Sequence, residues 1–311
     1  MTVDTTDMNH FLFNRYILNV KSGCEKKKLE KKWKSIFLRK SIKFIPTYIK
    51  DSIFYKYRYK SYWRTFHVHK DIKYSLNSKS MMMDIYEPEK KNNKPNPTIV
   101  FIKGGYYLSG DKKDYSRLGK VFSKLGYLTI IPNYSLYPKA NFSGILEEVD
   151  TLLQYVYETV EIFGGSKDNI NLIGHSVGAT LLSSYLARNI SNPIKINWIK
   201  SMFLISGAYD LEDLFIYETQ NGTEEILPTH KVYGGFAQMN GYSPNNILQQ
   251  YKDNTITLQP NVIMIHSEPD RIFPSSQSLK FFETLKRKST NLSNIRYFKF
   301  ENYQHIEFII T

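Results

Sequence analysis

Residues 169–183 read NINLIGHSVGATLLS. A mostly apolar run, Ile170 to Ile173, ends in Gly174-His175-Ser176-Val177-Gly178, and small and apolar residues then recur at helical spacing. This pattern predicts a strand, a sharp turn with a serine at its apex, and a helix. Glycines two residues either side of Ser176 suit such a turn, because a Cβ there would meet the neighbouring strand or helix. The turn lifts the Ser176 hydroxyl clear of the sheet and turns the first free NH groups of the helix toward whatever binds there.

Working outward, strands and helices alternate. DIKYSL (71–76) and MMMDIYEP (81–88) read as an antiparallel hairpin, and PTIVFIKGG (97–105) as a buried strand ending in a glycine pair. Asp111–Leu125 predicts a helix, Tyr127–Asn133 a strand, and Ile145–Phe163 a long amphipathic helix stopped by Gly164-Gly165. Further strands are expected at Lys200–Ser206, Asn261–His266 and Ile295–Phe300, with a helix at Ser275–Lys286. Strands joined by crossover helices make a mostly parallel sheet covered on both faces, which binds ligands beyond the carboxyl ends of its strands. About fifty residues, 208–258, break this rhythm with turn formers and aromatics, and are expected to form a small cap over those ends.

A serine hydroxyl becomes a useful nucleophile only when a base takes its proton and an acid orients that base. Asp270 follows the strand VIMIHS (262–267) in a turn framed by Pro269 and Pro274, and His305 follows the last strand. Ser176, Asp270 and His305 thus each stand at the carboxyl end of a strand, in a workable order. Competitors stand close by: Glu268 for the acid, and His266 and His175 for the base. His266 lies inside a strand and reads as a core histidine, while His175 on the turn is expected to point away from the serine proton. Asp210 is expected to shape the entry to the cap. Negative charge developing on a substrate oxygen needs donors. Gly104 and Gly105, with no side chains to block approach, and the NH of Val177 are the candidates.

The 311 residues carry a formal charge of +13. Residues 21–73 hold seventeen Lys and Arg against four Asp and Glu, whereas residues 74–311 hold twenty-four against twenty-three. The basicity therefore belongs to an N-terminal extension, residues 1–69, and not to the body, residues 70–311. From Leu29 the extension places Trp33, Ile36, Phe37, Phe44 and Ile45 on one helical face among lysines, with Pro46 bending or ending the helix. Tyr48–Trp63 is crowded with aromatics and lysines. Such a segment either packs its apolar face on the body or lies against an anionic membrane surface through residues 21–66. No nucleic-acid motif accompanies the charge, so nucleic acid is not an expected partner. Cys24 is the sole cysteine, which leaves no intrachain disulfide and no cysteine-based metal site. No apolar run approaches the ~20 residues of a bilayer span, and Asp4, Asp7, Asn14 and Arg15 break any secretory pattern. An intracellular protein is expected, cytoplasmic or peripherally membrane-associated, with no metal and no cofactor.

From about residue 70 onward the chain resembles an esterase of the α/β-hydrolase superfamily, in the branch that holds prenylcysteine methylesterases, kynurenine formamidases and feruloyl-esterase-like proteins. The resemblance is carried by KGGYY (103–107), PNYSLYP (132–138), GGSKDNINLIGHSVGA (164–179), ISGAYDLEDL (205–214), HSEPDRIFP (266–274) and ENYQHIEF (301–308). It implies Ser176 as nucleophile, Asp270 as acid, His305 as base and Gly104-Gly105 as oxyanion loop. Many members carry His-Gly-Gly where this chain has Lys103, a change that leaves the backbone donors intact. An aromatic, basic segment ahead of the body most resembles the prenylcysteine methylesterases. The implied activity is hydrolysis of a small carboxylic ester through an acyl-enzyme. A formamide substrate is the alternative, and a non-catalytic, membrane-peripheral binding protein is the alternative of another class.

Overall fold

Runs of five to eleven residues, most of them rich in Ile, Val, Leu and Met, form the strands, and the computed structural model gathers them into a single eight-stranded sheet. Residues 67–310 are described, apart from 90–93, 222, 225, 226 and 228. The basic helix expected from Leu29 and the aromatic stretch 48–63 lie outside the described residues. In chain order the strands are β1 Val68–Lys73, β2 Met82–Tyr86, β3 Asn96–Ile102, β4 Leu128–Pro132, β5 Gly165–His175, β6 Ile199–Ile205, β7 Asn261–Ser267 and β8 Ile295–Phe300. Their spatial order is β1-β2-β4-β3-β5-β6-β7-β8. The β1/β2 and β2/β4 pairs are antiparallel and the other pairs are parallel.

The helices are α1 Ser116–Lys124, α2 Phe142–Thr159, α3 Val177–Asn189, α4 Pro193–Ile196, α5 Leu211–Gln220, α6 Thr229–Val232, α7 Phe236–Tyr242, α8 Pro244–Gln249, α9 Ser276–Lys288 and α10 Glu307–Ile310. Residues of α2, α3 and α9 share one large core with Val100, Ile102, Leu172, Leu204 and Met264. On the opposite face, Tyr86, Phe101 and Ile131 pack with Tyr115, Leu118 and Ile309. Helices therefore cover both faces, as the near-continuous burial of β3 and β4 requires. α2 buries Ile145, Leu146, Val149, Leu152, Leu153 and Val156, a three-to-four-residue stripe, and Asn141 caps it by accepting from the Gly144 NH at 3.0 Å.

The residues settle some boundaries differently from the sequence pattern. The helix expected at Asp111–Leu125 opens with a 3₁₀ turn, Lys112–Tyr115, under an Asp111 capping box. β5 begins at Gly165, ahead of its apolar run, because that backbone is pressed so close that a Cβ would lie 2.5 Å from Thr98 Oγ1 and from Val160 Cγ2. Between β6 and β7, α5 to α8 occupy the stretch that breaks the alternation. Asp210 caps α5 through the Asp213 NH at 3.2 Å and ion-pairs with Lys280 of α9 at 2.6 Å. Gln277 of α9 accepts from the NH groups of Tyr209 and Asp210, so this stretch is tied to the body where it leaves β6.

Candidate active site

At the end of β5 the chain turns into α3 within one residue, and Ser176 takes φ 56°, ψ −126°. A non-glycine residue holds such a conformation only where its surroundings fix it. Here the Ser176 NH donates to the Ile205 carbonyl at 2.8 Å, and its own carbonyl accepts from the NH groups of Ala179 and Thr180. The flanking glycines are required by close approach: a Cβ on Gly178 would stand 2.1 Å from the Ile102 carbonyl oxygen, and one on Gly174 would stand 2.6 Å from the Gly178 carbonyl oxygen. α3 can sit this tight on the sheet because it is built largely of Gly178, Ala179, Thr180, Ser183, Ser184 and Ala187.

Ser176, His305 and Asp270 meet in a line. Ser176 Oγ lies 2.8 Å from His305 Nε2, and His305 Nδ1 lies 2.7 Å from Asp270 Oδ2. All three are buried. Asp270 Oδ1 accepts from the NH groups of Ile272 and Phe273 at 2.9 and 3.0 Å, which holds the carboxylate in the turn after β7. Burial alone would raise the Asp270 pKa, but the charge of His305 and hydrogen bonds from His266 and His305 outweigh it and hold the carboxyl below its ordinary range. The Asp270 contact on Nδ1 keeps the proton there, leaving Nε2 free to accept from the serine hydroxyl.

The competing residues fall elsewhere. Glu268 points outward and pairs with Lys299 at 2.5 Å. His266 is the core histidine expected, accepting from the Ser278 hydroxyl at 2.6 Å. It also does something its strand position does not reveal: its Nε2 lies 3.0 Å from the Phe273 carbonyl and 3.2 Å from Asp270 Oδ2, on the same oxygen that His305 uses. His175 keeps its ring away from the serine proton and places Nε2 2.8 Å from the His305 carbonyl oxygen. Burial, then the nearby charge of His305, takes its pKa down to about 3, so it acts as a neutral donor.

The loop after β3 lies directly against this turn. A Cβ on Gly104 would stand 2.8 Å from Ser176 Cβ. Gly105, Tyr106 and Tyr107 have φ of 118°, 52° and 63°, so the loop coils back until Gly105 accepts from the Leu108 and Ser109 NH groups. Among the described residues, the NH groups of Gly104, Gly105 and Val177 donate to no backbone carbonyl. Those three donors are open beside a serine hydroxyl that faces a histidine, an arrangement able to hold a developing oxyanion.

Aromatic residues wall the site. Phe273 packs edge-on to His305 at 5.4 Å and Tyr106 packs on Phe273 at 5.3 Å. The hydroxyls of Tyr107 and Tyr233 are 2.7 Å apart, and Phe142 and Tyr242 pack around them. On the buried face of α5, Glu218 accepts from the Thr229 hydroxyl at 2.6 Å. Tyr233 carries no motif, and only the aromatic richness of 208–258 hinted at the wall. Among the described residues no group of His, Cys, Asp and Glu is arranged to hold a metal ion, and no helix is long and apolar enough to cross a membrane.

The BD-FAE family model matches residues 83–285. A probable isoprenylcysteine alpha-carbonyl methylesterase of Oryza sativa subsp. japonica is 27% identical over 222 residues, 69% of this chain and 53% of that one. A kynurenine formamidase of Drosophila melanogaster is 24% identical over 229 residues, 73% of this chain and 72% of that one. The chain spans about half the length of the plant methylesterases it matches. Esterase B from Lactobacillus rhamnosis shares the fold, with a TM-score of 0.67 over 90% of this chain and 89% of that one at 16% identity.

Proposed function

This chain belongs to the BD-FAE family, and from that premise we propose that it is a serine carboxylic-ester hydrolase of the α/β-hydrolase superfamily, acting through an acyl-enzyme on Ser176. The observation that carries the proposal is the line of short contacts, 2.8 Å from Ser176 to His305 and 2.7 Å from His305 to Asp270. His305 takes the serine proton as Oγ attacks the ester carbonyl, and Asp270 stabilises the imidazolium that results. The NH groups of Gly104, Gly105 and Val177 hold the oxyanion. His305 then returns its proton to the leaving alkoxide, and water, activated by the same imidazole, hydrolyses the acyl-enzyme.

The substrate is a small carboxylic ester, with a prenylcysteine methyl ester the first candidate on the strength of the plant relatives. A formamide is the second reading, supported by the insect relative, which aligns over most of both chains. Rates on a prenylcysteine methyl ester and on N-formylkynurenine, measured side by side, separate the two. The mechanism is tested by Ser176→Ala. Turnover of a short p-nitrophenyl ester and labelling by a fluorophosphonate are both expected to vanish. Undiminished turnover in the variant would rule the mechanism out, and failure of the wild type to label would favour a non-catalytic binding protein on this fold. Residues 1–66 precede the described body; deleting them is expected to weaken sedimentation with anionic vesicles.

A further inference from the structure

Lys103 is the last residue before the glycine pair, and its side chain is wholly buried. Its Nζ donates to the Ser109 carbonyl oxygen over a long 3.5 Å contact and lies 4.2 Å from the centroid of the Tyr134 ring. A Cβ on Gly110 would stand only 3.5 Å from the same nitrogen. The Tyr134 hydroxyl in turn donates to the Lys103 carbonyl oxygen at 2.9 Å. One side chain thus spans from the start of the loop, at 103, to its close at 109 and 110, with the ring after β4 as a backstop. The loop needs such a strut, because Tyr106 and Tyr107 both hold left-handed φ angles that no side chain adopts without support.

A buried ammonium with one long hydrogen bond and one ring face is a poor element of stability, since its desolvation is only partly repaid. Burial takes its pKa from 10.5 down to about 8, against the pull of Asp111 and Asp114. A methionine would fill the same space without that penalty. The charge is therefore spent on geometry.

We propose that Lys103, through its buried ammonium, is a positioning residue that holds the 104–110 loop where the Gly104 and Gly105 NH groups meet the substrate oxygen. The inference rests on the assignment of Ser176 as nucleophile and of this loop as oxyanion donor. The ammonium is faced by Asp111 and Asp114 from the segment that follows the loop, by the ring of Tyr134, and by the backbone of Ser109 and Gly110. It carries its charge below about pH 8 and loses it above, so the loop is held firmly on the acid side and slackens on the alkaline side.

The test uses the full chain, p-nitrophenyl acetate and three variants: Lys103→Met, Lys103→Arg and Glu218→Gln. Lys103→Met is expected to lower kcat about tenfold or more with KM changed by less than about twofold, as for a weakened oxyanion donor. Its unfolding midpoint is expected to hold or rise, which loss of a merely structural contact would not produce. Wild-type kcat is expected to fall above about pH 8; Lys103→Met should lack that limb, and Lys103→Arg, where it folds, should restore kcat and keep it flat to higher pH. Glu218 also titrates near 8, so Glu218→Gln is the control, and it should keep the limb. If Lys103→Met does not fold, persistence of the limb in Glu218→Gln supports the inference. Absence of any alkaline limb in the wild type, or an unchanged kcat in folded Lys103→Met, overturns it. Fluorophosphonate labelling that depends on Ser176 is measured alongside; if it is absent, the assignment of the nucleophile has failed, and not the role of Lys103 alone.

Discussion

His175 and His305 are coupled through ring and backbone: His175 Nε2 lies 2.8 Å from the His305 carbonyl oxygen, and the two rings are 5.0 Å apart. The residue beside the proposed nucleophile thus holds the loop that carries the proposed base. Because His175 is neutral, it can donate from Nε2 without placing a second positive charge against the imidazolium that forms on His305. Removing the strut in His175→Ala frees a short segment between β8 and α10 and leaves the His305 carbonyl without its donor. kcat is expected to fall by roughly one to two orders of magnitude with little change in KM, the pattern for an interaction needed mainly in the transition state. Steady-state kinetics on a p-nitrophenyl ester check this; equal falls in kcat and KM, leaving kcat/KM per folded molecule unchanged, would contradict it.

Asp270 serves two histidines through one oxygen, His305 at 2.7 Å and His266 at 3.2 Å. Asp270→Asn leaves the Ile272 and Phe273 NH groups a carbonyl acceptor but no longer fixes the His305 tautomer, so kcat is expected to drop by about 10⁴. His266→Gln spares the carboxylate and removes only one of its donors. Its effect is expected to be roughly tenfold or less, with the acid limb of the kcat/KM profile shifted, because the carboxylate that stabilises His305 loses part of its own support. An effect of His266→Gln as large as that of Asp270→Asn would mean that His266 touches the reacting atoms.

The sheet, the turn at Ser176 and the order of Ser176, Asp270 and His305 were legible because each depends on local pattern. Apolar runs of strand length, glycines two residues from a serine, and polar residues just past a strand are all readable one segment at a time. The contacts of His175 and His266 were not legible. Each depends on which carbonyl or carboxylate a distant loop brings within 3 Å of the ring, and β5, β7 and the loop after β8 meet only in three dimensions. Strand order was hidden for the same reason, since β4 lies between β2 and β3 through a crossover that leaves no sequence mark. Glu218 carries no such signal: a lone glutamate near the end of a helix reads as solvated, and only packing of α5 on its neighbours buries it.

Two glycines near Ser176 are expected to fail in different ways. A Cβ on Gly104 would stand 2.8 Å from Ser176 Cβ and 3.1 Å from the His175 carbonyl oxygen, so the loop, which belongs to no strand or helix, must move off the turn to admit it. A Cβ on Gly178 would meet the Ile102 carbonyl oxygen at 2.1 Å, where both partners are backbone of packed elements. Gly104→Ala should fold with a midpoint within a few degrees of the wild type and lose about 10²-fold or more in kcat as the donors move off target. Gly178→Ala should be strongly destabilised or insoluble. Thermal unfolding and turnover of the purified variants distinguish the two; a stable, active Gly178→Ala would show that α3 can lift from β3.

Glu218 gives the stability a pH dependence whose sign can be worked out. It is fully buried, and Oε1 accepts from the Thr229 hydroxyl. Burial is the main cause, with the charge of Glu224 adding to it, of a pKa raised from 4.5 to about 8. The folded chain therefore keeps a proton that the unfolded chain releases above about pH 4.5. Stability from this group is fully present below the unfolded value and declines by up to about 1.4 kcal/mol per pH unit until the folded value is passed. Glu218→Gln keeps an acceptor for Thr229 and cannot ionise, so its unfolding midpoint should exceed that of the wild type at pH 8 and approach it at pH 5. Urea unfolding at pH 5, 6.5 and 8 measures the difference. Parallel pH profiles in the two proteins would place the proton elsewhere, and a loss of turnover in the variant at constant stability would mark Glu218 as part of the substrate wall beside Tyr106.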